Sequence, residues 1–138
     1  LEIVGYFFDK NRLQRLKDMA NSNIHIEDRI LSGEEYCRKL GTAMFSVLPY
    51  DMVQYQNRTS GILLESAFLE AVPVAPEALL DANGMVGIGY WLMDEMPDKI
   101  MKCQKKEIID INNKKIQNDF DENKVKTEFG KWIAQFVR

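Results

Sequence analysis

The sequence predicts an α/β domain, a parallel sheet with helices on both faces. Short apolar runs alternate with amphipathic segments along the first half of the chain, the order of strand–helix units rather than of hairpins. The run "AMFSVLP" (43–49) is apolar almost throughout, as a strand covered on both faces is. The segments between the runs carry helix start and stop residues.

Each element follows from its residues. "LEIVG" (1–5) is a short apolar strand ended by glycine. "KNRLQRLKDMA" (10–20) repeats apolar residues at Leu13, Leu16 and Ala20, a helical spacing. "NIHIEDRIL" (23–31) alternates and reads as extended. "SGEEYCRKLG" (32–41) opens on Ser32 with Glu35 three residues later, a capping box, and closes at Gly41. After "AMFSVLP" come a polar loop, "YDMVQYQNRT", and a helix, "SGILLESAFLEA" (60–71). "VPVAP" (72–76) is a short strand stopped by Pro76, "EALLDA" one or two helical turns, and "GMVGIGY" a strand or a glycine-rich turn. From Asp98, Ile100, Met101, Ile108, Ile111 and Ile116 mark one amphipathic helix with polar interruptions. A last helix starts at the cap candidate Asp121 and places Val125, Phe129, Trp132, Ile133 and Phe136 on one face.

The chain of 138 residues fits a single domain, residues 1–138. It starts as a strand already under way, and the expectation is a fragment of a longer protein. No apolar run approaches the ~18–20 residues of a membrane span. A net charge of −3 speaks against general nucleic-acid binding. One histidine, His25, cannot build a histidine metal site or a Ser-His-Asp triad, so no metal is expected. Cys37 and Cys103, without a C-x-x-C spacing, read as reduced thiols and a cytoplasmic address.

The stretch "RTSGILLES" (58–66) concentrates donors at a helix entry. A helix N-terminus offers unpaired N–H groups and partial positive charge. Arg58 adds a cation suited to bidentate phosphate contact, Thr59 and Ser60 add hydroxyls, and Gly61 permits close approach. The set is a candidate anion site; the plainer reading is a Ser or Thr cap with Arg58 in solvent. Glu65, one turn inside, is either a solvated carboxylate or an acceptor for ribose hydroxyls. Tyr50 and Tyr55 either contact a sugar or wedge the loop onto the sheet. Lys102, Lys105, Lys106, Lys114 and Lys115 form a basic patch, read as a solvated face or as a peripheral membrane contact. "NRT" (57–59) matches a glycosylation acceptor that a cytosolic address would leave silent.

The ordered set from Asn21 to Pro76 resembles the donor-binding C-terminal half of a GT-B-fold nucleotide-sugar glycosyltransferase of the large retaining family. The likeness lies in a strand, a turn and helix reading "SGEEYCRKLG", a strand ending "VLPY", a loop, "SG", an apolar helix and "PV". "FDENKVKTEFGKWI" is similar to the closing helix of such domains. The resemblance implies a three-layer Rossmann-like fold and a nucleotide-diphosphate sugar as co-substrate, with no other cofactor. It implies that Asn57, Arg58, Thr59, Ser60, Gly61 and Ile62 hold the donor diphosphate and sugar. Glu65 would bind the ribose, and Arg29, Ile30 and Leu31 would pack near the nucleobase. Acceptor, saccharide or lipid-linked, and any catalytic residue would belong to an N-terminal half, as in surface polysaccharide biosynthesis. The isolated chain is then expected to be inactive.

Three departures stand out. Eight positions before Glu65, where the family often carries a second glutamate, this chain has Asn57. An ungapped alignment puts Ser66 at the ribose position; the Arg-x-Ser-Gly spacing selects Glu65. The basic pair that follows the family's first strand is absent, which places that strand upstream if "LEIVG" is the second. The alternative function is a non-catalytic scaffold on the same fold. A flavodoxin-like receiver lacks its acidic cluster, with only Asp9 after the first strand.

Overall fold

The computed structural model describes residues 1–55 and 59–134. The described residues form an α/β fold whose strands pair in parallel in two small sheets, β1–β2 and β3–β4–β5. The chain divides into two compact units, Leu1–Lys39 and Leu40–Arg138.

The first unit is a βαβ motif. Strand β1 (Glu2–Gly5) and strand β2 (His25–Asp28) run parallel, with Glu2 opposite His25 and Gly5 opposite Asp28. Parallel neighbours need a crossover, which helix α1 (Lys10–Met19) provides. Asp9 caps α1 by accepting from the backbone N–H groups of Asn11 and Arg12. The next helix, α2 (Gly33–Thr42), opens with the predicted box: Ser32 Oγ accepts from Glu35 N, and the Glu35 carboxylate accepts from Ser32 N, both at 3.2 Å.

In the second unit, strands β3 (Phe45–Val47), β4 (Val72–Pro76) and β5 (Ile88–Tyr90) form a sheet with β4 in the centre. Every residue of β4 is buried. β3 is a terminal strand of this sheet and leaves Val47 38% exposed, so the two-sided cover expected of "AMFSVLP" belongs to "VPVAP" instead. Successive β4 side chains serve different cores. Val72 and Val74 join Ile88 and Tyr90, with Ile100, Ile108 and Ile109 packed on them. Ala75 joins Leu48, Leu63, Ala67, Leu79 and Leu80.

The helices of this unit are α3 (Met52–Tyr55), α4 (Gly61–Phe68), α5 (Glu77–Asn83), α6 (Met96–Met101), α7 (Lys105–Asp119) and α8 (Glu122–Ala134). α4 stops earlier than predicted because Glu70 takes the left-handed conformation (φ 61°) and Ala71 N bonds back to Ser66 O. α5 ends the usual way, on left-handed Gly84. The segment read as one helix from Asp98 is two, parted at Lys102–Gln104, where Cys103 and then Ile108 and Ile109 turn onto the β4–β5 core. Asp121 caps α8 through Lys124 N at 2.9 Å, as its sequence signalled. Of the apolar face expected on α8, Val125 is 48% exposed; the side chains of Phe129, Trp132 and Ile133, and residue Phe136, lie outside the described residues.

The start of β5 is fixed by an unusual partner. Pro73 has no N–H to give its neighbour, and the β4–β5 ladder begins only at Val74 opposite Ile88. Just before it, Gly87 lies so close to β4 that a Cβ there would come 2.5 Å from the Pro73 carbonyl oxygen. Val86 is held instead by the side chain of Asn112 on α7. Its N–H donates to Asn112 Oδ1 at 3.0 Å and its carbonyl accepts from Nδ2 at 2.8 Å. Asn112 is 2% exposed.

Candidate functional site

In open parallel sheets ligands gather beyond the carboxyl ends of the strands. Each unit has such an edge, and each edge carries residues the sequence singled out.

In the first unit the chain leaves β1 at Gly5 and β2 at Asp28, and between these exits lies an open cleft of about 370 Å³. Its lining includes Gly5, Tyr6, Arg29, Ile30, Leu31 and Tyr36, so Arg29–Leu31, implied to lie near a nucleobase, do border a cavity. Ile30 is 79% and Tyr6 53% exposed, an apolar surface turned to solvent. The cations of this edge are occupied. Arg29 donates from Nε to Glu27 at 2.7 Å and from both terminal nitrogens to Glu35 at 3.0 Å. That fork, with the Ser32 N–H, holds the Glu35 carboxyl down to about 2. Lys10 Nζ is 2.7 Å from Asp28 Oδ2 while Phe7 N donates to Oδ1, and the Lys10 contact holds Asp28 below the usual carboxylate range.

In the second unit the loop after β3 leads to the entry of α4. Asn57 and Arg58 lie outside the described residues. Thr59 is exposed; Ser60 is 3% exposed and works as the cap, its Oγ accepting from Leu63 N at 3.2 Å and donating to Tyr50 Oη at 3.3 Å. Gly61 and Ile62 are exposed, so the first-turn N–H groups next to the cap face solvent. Glu65 is exposed too, and its Oε1 would be 3.8 Å from a Cβ built on Gly61, which puts the carboxylate over the helix entry. Ser66 is fully buried and donates its hydroxyl to Ile62 O at 2.6 Å.

Tyr50 and Tyr55 stack face to face, ring centroids 3.9 Å apart, and pack against the Leu48–Leu63 core. Both tyrosines are therefore wedged against that core. Burial raises the Tyr50 phenol above its ordinary value, and the nearby Glu65 charge adds to the shift. Tyr90 Oη donates to Leu48 O at 2.8 Å, and the same carbonyl accepts from Tyr50 N, so the end of β5 fixes where the loop begins.

The lysine patch meets acids in the structure. Lys105, Lys106 and Lys114 share a shallow depression of about 570 Å³ with Glu107 and Asp110, and Lys115 pairs with Asp119. Among the described residues no cluster of His, Cys, Asp and Glu could hold a metal, and no helix is long and apolar enough to cross a membrane. Tyr6 and Lys10 were not singled out from sequence. The signal was present: an aromatic residue directly after a strand-ending glycine stands at the carboxyl edge of its sheet.

Compared with known families, curated proteins and solved structures, the chain matches none.

Proposed function

We propose that this chain is the donor-binding part of a glycosyltransferase, recognising a nucleotide-diphosphate sugar on a three-layer Rossmann-like fold of the GT-B C-terminal type. The observation that carries the reading is the cleft at the carboxyl edge of β1–β2, bordered by the Arg29–Leu31 turn that the family likeness assigns to the nucleobase. Taken by itself, the entry of α4 in the second unit has the chemistry of a phosphate-binding helix end. Exposed Gly61 and Ile62 offer backbone donors to phosphate, and Glu65 hangs over them as a ribose acceptor while Ser66 is sealed inside.

On this reading Arg58 and the α4 dipole stabilise the charge that develops on the diphosphate as the glycosidic bond forms. Acceptor and any general base come from elsewhere in the intact enzyme, at the cytoplasmic face of a membrane where a lipid-linked acceptor is used. Isothermal titration of the chain with uridine, guanosine and adenosine diphosphates tests the proposal. One of them is expected to bind in the millimolar range or better, with Arg58→Ala weakening it and Glu65→Ala weakening the nucleotide more than inorganic pyrophosphate. Absence of heat with all three would end the reading. The rival, a non-catalytic scaffold, draws on one observation: the Ser60 hydroxyl is already engaged by Leu63 and Tyr50. It predicts that Arg58→Ala changes no binding.

A further inference from the structure

Where the chain leaves β5, three large apolar side chains stand in a row in solvent: Trp91 is 74%, Leu92 63% and Met93 54% exposed. Single exposed apolar residues are ordinary, but a contiguous run marks a contact surface. The run is held in place. Lys99 Nζ on α6 donates to Gly89 O at 2.8 Å and to Glu95 Oε2 at 2.9 Å. The same carboxylate oxygen accepts from Trp91 N at 3.4 Å. This brace fixes a turn whose side chains belong to neither core of the second unit. A fixed tryptophan loses little freedom on docking, and tryptophan is enriched among the residues that dominate interfaces.

The charges beside the run narrow what it meets. Glu95 is paired with Lys99, whereas Asp94 and Asp98, both exposed, enter no ion pair among the described residues. The apolar run therefore has a negative rim. Two such runs would repel each other at their rims, and an anionic membrane surface would be repelled too. The fitting surface is apolar with a positive rim, and α7 of the same unit carries one. Ile111, 42% exposed, lies in the depression of about 570 Å³ with Lys105, Lys106 and Lys114, none of them in an ion pair among the described residues. Against Glu107 and Asp110 in the same lining, the three lysines leave a net charge of +1. The volume falls within the ~300–1,000 Å³ of pockets that hold ligand-sized groups, room enough for an indole. Within one copy the two surfaces do not meet, since Trp91 stays in solvent and no residue of the run lines the depression.

We propose that residues 91–93 of one copy dock into the α7 depression of a second copy, in a head-to-tail contact. This does not depend on the donor-binding reading. Such a contact is heterologous, so it continues into rings or open chains rather than stopping at a dimer. Sedimentation equilibrium of the 138-residue chain from micromolar to millimolar concentration tests it. The expected result is a mass that rises above one chain, with association that weakens as salt is added. Trp91→Ala should weaken association by about 30-fold or more, the mark of a central anchor, and leave the thermal midpoint unchanged because the side chain is exposed. Asp94→Lys with Asp98→Lys, and Lys106→Glu with Lys114→Glu, give two double variants. Each alone should stay monomeric where the wild type associates. Mixed, they should associate again, because each keeps one native surface. A wild-type mass equal to one chain throughout overturns the proposal, as does association that Trp91→Ala leaves intact. Two folded double variants that fail to associate when mixed overturn the pairing of these surfaces. Binding to neutral phosphatidylcholine vesicles that is lost in Trp91→Ala, without self-association, assigns the run to lipid and overturns it as well.

Discussion

Truncating Asn112 to alanine removes two hydrogen bonds at once, at 3.0 and 2.8 Å, from a site only 2% exposed. Each bond has a modest net worth, about 1 kcal/mol, but an unsatisfied group left out of water costs ~1–3 kcal/mol. Val86 has no alternative partner in β4 at that position, because the ladder starts two residues later at Ile88, but it is itself exposed, so water takes over part of what Asn112 gives up. The expected loss is therefore about 1–3 kcal/mol, a sizeable share of the ~5–15 kcal/mol that holds a domain together. Urea unfolding reads it directly. With a slope of ~1–3 kcal/mol per molar, the midpoint should fall by about 0.3–3 M with the slope unchanged. Asn112→Asp adds a sign test. Its carboxyl, buried and facing the Val86 carbonyl, should titrate above its unfolded value of ~3.9. The variant should then approach wild-type stability at low pH, where the acid can still donate, and lose it as pH rises through the folded pKa. A midpoint shift for Asn112→Ala corresponding to less than about 0.5 kcal/mol would refute the reasoning, since it would mean that Val86 is satisfied without α7.

Three other outcomes follow from the same structure. Gly87→Ala should destabilise the second unit by at least ~1–3 kcal/mol in thermal or urea unfolding, because the added Cβ meets backbone, the Pro73 oxygen, rather than a side chain that can move. Glu70→Gly should stabilise by about 0.5–1 kcal/mol, relieving a left-handed glutamate at the loss of one exposed bond to Asn113. Glu27, Asp28 and Glu35 all have lowered pKa values, so their contribution is present above their unfolded pKa values near 4 and is lost as pH falls through the folded ones. For Glu35 that window reaches down to about 2. Hydrogen exchange in the first unit should accelerate across it, and Glu35→Gln should flatten the acid limb.

Much of the local structure was legible because local chemistry decides it. Ser32 and Glu35 form the capping box their spacing announced, and Asp121 caps the last helix. What the sequence hid depends on distant partners. The break between α6 and α7 carries no glycine or proline; it is set by which isoleucines reach the β4–β5 core. Asn112 reads as a polar interruption of an amphipathic helix and is in fact buried against a residue 26 positions away. The end of α4 falls on a glutamate where glycine would have signalled it. For the candidate site, the family resemblance implied Arg29–Leu31, and these residues border a cleft. Tyr6 was not singled out, although a first strand ended at Gly5 leaves it at that same edge. Ser60 was legible as a hydroxyl at the helix entry, but its bond to Tyr50, ten positions earlier, was not.

The dependence of Val86 on Asn112 bears on how the chain acquires its structure during synthesis. β5 emerges from the ribosome before the residue that clasps its approach, and the 26-position separation takes about 1–5 s to translate at 5–20 residues per second. Throughout that interval the nascent sheet can align β3 with β4 but has no clasp for the third strand, whose apolar residues wait uncovered. A ribosome pausing within α7 would prolong that exposure, and the growing polypeptide would be most open to chaperones and to aggregation there.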